Sequence, residues 1–212
     1  MPGTRKITKI ERQKRNKNRV SIYLDDQFAF GLDLEVATQF DLREGAEVSQ
    51  ETIDTVLLKE EKKGAKNKAF RYLAGRAHSE KELRDKLRLK GFSKPIVEEV
   101  LAELKVLKFI DDSAFAASYV RSRMINRPCG ETLLRHELWQ KGVSEEIAKS
   151  AVKAFFSEHN QVEVARALAE KLRPRYSRLD ATKRKKRLSD FLLRRGFAWE
   201  LVKEVVEINT ED

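Results

Sequence analysis

The chain has 212 residues, room for one large or two modest domains, and a net charge of +10. Leu, Ala, Lys, Arg and Glu are plentiful and aromatics make up only 8%, a balance that favours helix and makes polyanions or acidic protein surfaces the natural partners. One cysteine, Cys129, excludes an intrachain disulfide and a multi-cysteine zinc site, and no apolar run reaches the length of a membrane span.

Residues 1–20 carry eight Lys or Arg against one acid, Glu11, and lack the apolar stretch of a secretory signal, so a soluble cytoplasmic protein is expected. Alternation of Val20, Ile22 and Leu24 with polar and aromatic neighbours predicts short antiparallel strands at about 6–13, 19–24 and 27–31. Asp25-Asp26 marks the turn between the last two. Leu34, Val36, Ala37 and Phe40 predict a short helix that Gly45 breaks, and Ser49 caps another carrying Ile53, Val56 and Leu57. Residues 21–63 hold eleven acids and four bases, which reads as charge compensation inside a small strand-plus-helix module spanning 1–63.

From Gly64 onward the pattern is helical throughout. The segment Ser79–Phe92 opens with a capping box, Ser79 with Glu82, places Leu83 and Leu87 one turn apart on one face, and ends at Gly91. Leu134, Leu138, Gly142 and Val143 repeat this unit, as do Leu188, Leu192, Gly196 and Phe197. Five residues beyond each glycine lie Ile96, Ile147 and Leu201; ten beyond lie Leu101, Val152 and Val206. The spacing is 51 residues, then 54, with the extra length near Pro174–Asp180. Such recurrence defines three tandem three-helix repeats at 64–110, 111–159 and 160–212, and stacking them would give an elongated, curved array. Helix one of the first repeat is expected around Ala69–Arg76. Helices two fall at 80–90, 131–141 and from a cap at Asp180 to Arg195, with helices three at 94–107, 145–157 and 199–208. Asn160 with Glu163 is a further capping box.

The chain contains no phosphate-binding glycine loop and no HExxH pair, and its three histidines, His78, His136 and His159, occupy unrelated places in the repeat. No enzyme activity, metal or cofactor is expected, and Cys129 reads as a small apolar filler. Basic residues are better organised. Between 171 and 195 there are eleven bases and two acids. Arg84, Arg88, Lys90, Arg135, Lys141, Arg187, Arg194 and Arg195, all on or beside helix two of a repeat, are the candidate contacts for an anionic partner. Helix three is acid-rich in every repeat, with Glu98, Glu99 and Glu103, then Glu145 and Glu146, then Glu200, Glu204 and Glu207. That disfavours a helix-turn-helix mode in which helix three enters a DNA groove and favours backbone-type contact through helix two.

Arg76–Phe92 (RAHSEKELRDKLRLKGF) resembles the first repeat of the RecX family of recombination regulators. Phe109–Arg123 and Glu137–Val143 resemble its second repeat, and the VSIYLDDQFAFGL segment resembles the leader of longer members. The resemblance implies three tandem three-helix repeats. It also implies a non-enzymatic, monomeric regulator that lodges in the groove of the RecA filament on DNA and mainly inhibits ATP hydrolysis, strand exchange and co-protease activity, often binding single- or double-stranded DNA itself. The alternative is a general DNA-binding helical-repeat protein without a dedicated protein partner.

Overall fold

The computed structural model describes residues 4–208. They form two compact units. One holds the chain up to Gly75 together with Arg84–Leu104, and the other holds Arg76–Leu83 together with the chain from Lys105 onward.

In the first unit, strands β1 (Arg5–Arg12), β2 (Arg19–Leu24), β3 (Gln27–Asp33) and β4 (Glu47–Val48) pair antiparallel in the order β3-β2-β1-β4. Period-two alternation puts Ile7, Val20, Ile22, Leu24 and Leu32 into one core with Val36 and Ala37 of helix α1 (Leu34–Gln39). The β2–β3 hairpin turns on Asp25 and Asp26, at φ 49° and 64°. Both lie in the left-handed region that a two-residue turn needs to match strand twist, and short carboxylates tolerate it. The two-residue β4 is absent from the sequence reading. It forms because the chain turns at Gly45 so that Gly45 donates its N–H to Ile7 O at 2.7 Å.

The helix expected after Ser49 and the one expected at Ala69–Arg76 are a single helix, α2 (Gln50–Gly75). Gly64 does not interrupt it, and the domain boundary expected at 63/64 falls inside it. A glycine in a helix interior costs about 1 kcal/mol relative to alanine, and Gly64 lies against the ring of Phe92, at a distance where a Cβ would make ordinary contact at 3.4 Å. Charge compensation inside this unit takes concrete form. Arg19 pairs with Glu60 at 2.6 Å, Lys63 with Asp33 at 2.8 Å, and Lys66 with Glu103 of helix α4 (Lys94–Val106) at 3.0 Å.

The remaining helices follow the expected periodicity. They are α3 (Glu80–Leu89), then α5 (Asp112–Asn126), α6 (Glu131–Gln140) and α7 (Glu145–Glu158), then α8 (Gln161–Leu172), α9 (Ala181–Arg194) and α10 (Trp199–Ile208). The third repeat, expected to run to 212, has its last four residues outside the described ones. A short 3-10 turn, Arg173–Tyr176, takes up the extra length of that repeat. The second repeat closes over Phe115, Val120, Leu134, Leu138, Val143 and Val152, and the third over Ala165, Ala169, Leu188, Leu192, Phe197 and Val205. Asp111, Ser144, Asn160 and Asp180 each cap a helix start with a side-chain oxygen.

Each helix two ends in the same way. Gly91, Gly142 and Gly196 stand at φ 87°, 81° and 80°. The following Phe92, Val143 and Phe197 donate their N–H groups back to Leu87, Leu138 and Leu192 at 3.4, 3.1 and 3.2 Å. This six-residue closure satisfies carbonyls that the helix end leaves unpaired and needs a residue free to be left-handed.

Two of these turns also receive the start of the preceding helix two. Ser79 and Gly130 each stand twelve residues before their own glycine. Ser79 Oγ donates to Lys141 O at 2.6 Å, and Gly130 donates its N–H to Arg195 O at 2.8 Å. Two residues on, Lys81 Nζ donates to Gln140 O at 3.2 Å and the Thr132 N–H to Gly196 O at 3.2 Å. The carbonyls that one helix end leaves unpaired thus find donors at another helix start, side-chain donors at Ser79 and Lys81 and main-chain N–H groups at Gly130 and Thr132. The approach is close. A Cβ on Gly142 would lie 2.4 Å from Lys81 Cβ, and one on Gly196 would lie 2.4 Å from Leu133 N.

Ser79 accepts from the Glu82 N–H at 3.1 Å, as the capping box requires, but the Glu82 carboxylate does not complete the box. It accepts instead from Arg76 Nη1 and Lys141 Nζ, both at 2.8 Å, and lies 3.0 Å from His78 Nδ1. Burial pushes this carboxyl up, but the hydrogen bonds from Arg76, Lys141 and His78 outweigh it and bring its pKa down to about 2.

This junction is testable at its glycines and at its carboxylate. Gly91→Ala should lose roughly 1–2 kcal/mol in urea unfolding, the left-handed penalty alone, whereas Gly142→Ala and Gly196→Ala should lose more than twice that because each also forces the docked helix start away. Equal losses at all three positions would show that the close approach contributes nothing. Glu82, depressed in the folded state, should contribute stability that is full above the ordinary carboxylate range and lost as pH falls from about 4.5 toward about 2. The stability gap between the native chain and Glu82→Gln, on the order of 2–3 kcal/mol near neutral pH, should therefore close across that window in urea titrations.

Candidate functional site

Among the described residues no cluster of His, Cys, Asp and Glu is placed to hold a metal ion. His78 is buried against Glu82, while His136 stacks on Trp139 and His159 on Phe155 at the surface. Cys129 is buried in the second repeat, and that burial pushes its thiol up to about 11, far from a reactive thiolate.

The basic residues separate into two sets by what they touch. Arg84 reaches Glu98 through Nε at 2.8 Å and Nη2 at 3.1 Å, a bidentate pair between α3 and α4. Arg135 stands at the same place in the second repeat, seven residues before the glycine, and pairs with Glu145 and, at 3.4 Å, with Glu131. Lys141 is held by Glu82 and lies over the Tyr119 ring at 5.1 Å. Arg195 lies over Phe191 at 5.1 Å and donates to Pro128 O at 3.4 Å. These four candidate cations are engaged within the chain.

Arg88, Lys90, Arg187 and Arg194 are exposed and form no ion pair among the described residues. In the second unit α9 carries a run of exposed cations. Lys183, Lys186, Arg187 and Arg194 recur at helical spacing on one face, and the first three line a shallow groove with Leu179 and Asp190. Among the described residues, Asp180, capping α9, is the acid that pairs with this stripe, at 3.3 Å from Lys183. Lys183 and Lys186 are absent from the sequence-derived candidates, although their offsets of four and one from Arg187 place them on its face. Arg184, one residue round the helix, turns inward and donates to Leu179 O at 3.4 Å.

Ion pairing explains why the third repeat differs. At the position of Arg84 and Arg135 it carries Ser189, so the arginine that joins helix two to helix three in the first two repeats is missing from that place. No helix among the described residues is long and apolar enough to cross a membrane.

Family models match almost the whole described chain. The N-terminal domain of regulatory protein RecX matches residues 5–49, and the first, second and third three-helix domains of RecX match 65–104, 111–152 and 159–206. Regulatory protein RecX of Bacillus licheniformis is 36% identical over 95% of this chain and 76% of its own length. That of Clostridioides difficile is 34% identical over 94% and 93%. A crystal structure of regulatory protein RecX superposes with a TM-score of 0.75 at 32% identity, covering 96% of this chain and 99% of the other. RecX from Lactobacillus salivarius gives 0.64 at 29% identity, covering 70% and 96%. The chain belongs to the RecX family of regulatory proteins.

Proposed function

We propose that the protein is a non-enzymatic regulator in the cytoplasm that binds the RecA recombinase filament on DNA and restrains it. It lowers ATP hydrolysis, strand exchange and co-protease activity. The contact residues are Arg187 and Arg194 with Lys183 and Lys186 on α9 of the second unit and, as a separate set on the first unit, Arg88 and Lys90 at the end of α3. The observation that carries this reading is the cation stripe of α9, in which Asp180 pairs with Lys183 alone, in a chain whose relatives are named regulatory proteins. A nucleoprotein filament is a dense polyanion. Cations without internal acid partners displace its counterions on binding, so affinity falls steeply with salt. Arg84, Arg135, Lys141 and Arg195 are candidates on charge alone, but their internal partners would have to be broken before they could serve.

The test is ATP hydrolysis by RecA on single-stranded DNA as the protein is added. Inhibition should occur with protein well below the number of DNA sites and should survive excess naked DNA. Inhibition abolished by naked DNA would instead support a general DNA-binding protein that competes for the lattice. The triple variant Lys186→Glu, Arg187→Glu, Arg194→Glu should need at least tenfold more protein for half-inhibition while keeping its helical circular dichroism. Removing each cation that pairs with a phosphate should also flatten the salt dependence by roughly 0.7–0.9 in log–log slope. An unchanged half-inhibition point would remove α9 from the contact surface.

A further inference from the structure

The three glycine turns are built alike, but only two are occupied among the described residues. Gly142 receives the helix start at Ser79–Glu82, and Gly196 receives the one at Gly130–Leu133. A Cβ placed on Gly91 meets nothing within 4 Å, and Leu89, Lys90 and Gly91 are all exposed. Leu89 is 85% exposed, the most open large apolar side chain among the described residues. Lys90 stands where Lys141 stands in the second repeat, one residue before the glycine. Lys141 holds Glu82 of the docked helix at 2.8 Å, whereas Lys90 has no ion-pair partner among the described residues.

The geometry points to the Leu89–Gly91 turn as a docking site for the N-terminus of an α-helix from a partner protein. The occupant is defined by the two helix starts that fill the equivalent turns. Its cap position carries serine or glycine, small enough to reach the turn carbonyl. Its third helical residue carries a carboxylate, as Glu82 does, to meet Lys90. The end carbonyls of α3 then accept from its first-turn N–H groups, and Leu89 loses its exposure to water.

In a second copy, the two helix starts that fill such turns are not available. Its α3 and α6 starts are already docked. In α9, Arg184 occupies the position twelve residues before Gly196, and Ala181–Lys183 continue the helix ahead of it, so no free N–H groups are presented there.

The test uses the full-length protein, isotope-labelled, and a hydrocarbon-stapled peptide of sequence 76–89, RAHSEKELRDKLRL, with its helicity checked by circular dichroism. This peptide carries the Ser79–Glu82 start that fills the equivalent turn. Amide shifts should move at Leu89–Phe92. A peptide bearing Glu82→Lys should bind about fivefold more weakly, the scale of one exposed ion pair, and protein bearing Lys90→Glu should recover that loss with the reversed peptide. Gly91→Asn, which keeps a left-handed residue but adds a side chain at the contact, should abolish the shifts and leave the circular dichroism unchanged. Three outcomes would overturn the proposal: no shifts at Leu89–Phe92 with millimolar peptide, equal binding by Gly91→Asn, or concentration-dependent shifts at Leu89–Phe92 without peptide, which would make the occupant a second copy.

Discussion

Everything beyond the strand module depends on one close approach, the start of one helix two seated on the left-handed glycine that ends another. It combines three requirements at a single point. The glycine must be left-handed to close its own helix. It must lack a Cβ because a neighbouring helix lies within 2.4 Å of where one would stand. The end carbonyls must find donors, because buried main-chain groups left unpaired cost about 1–3 kcal/mol each. The docked helix start meets the last requirement with the N–H groups or hydroxyl that its own first turn leaves free. This explains where the third repeat could grow. Its additional length sits at 173–180, ahead of α9, where it disturbs neither the Leu188–Leu192–Gly196 spacing nor the seat of Gly130.

Ion pairs have a different role. Arg84 with Glu98 and Arg135 with Glu145 join helix two to helix three in the first two repeats, from arginines at matching places to acids seven and three residues past the glycine. Such half-exposed pairs contribute at most about 1 kcal/mol each, too little to hold a repeat together beside a core of buried leucines and valines. Their larger consequence is electrostatic, since a paired arginine presents little field to a distant anion. Glu82 is the exception in kind. It gathers Arg76, His78 and Lys141 around one carboxylate at the junction, and its partners come from the second repeat as well as the first.

The sequence disclosed the repeats because their signal is local. Two leucines one turn apart, a glycine and an apolar residue lie within ten positions and recur three times. The hairpin at Asp25-Asp26 and the caps at Asn160 and Asp180 were legible for the same reason. What escaped was set by contacts distant in sequence. The continuity of α2 through Gly64 carries no local signal, and β4 depends on the edge that β1 offers. Glu82 reads as half of a capping box until Lys141, 59 residues on, is brought beside it. The candidate cations show the limit most plainly. A count of Arg and Lys treats Arg135 and Arg194 alike, yet among the described residues the first is paired with two glutamates and the second with none.

Within the third repeat the charges are sorted by helix. The stripe on α9 is cationic, while α10 exposes Glu200 and Glu204. In the first repeat Lys62 and Lys66 of α2 neutralise Glu99 and Glu103 of α4, so the acids of helix three there are balanced from inside the unit. No such balance reaches Glu200 and Glu204, which form no ion pair among the described residues. A polyanion approaching this repeat is attracted from the α9 side and repelled from the α10 side, and the sign reverses across the width of two helices, about 10 Å. At physiological salt that distance is close to the screening length, so the two faces act almost independently. The field of this repeat is therefore two-sided.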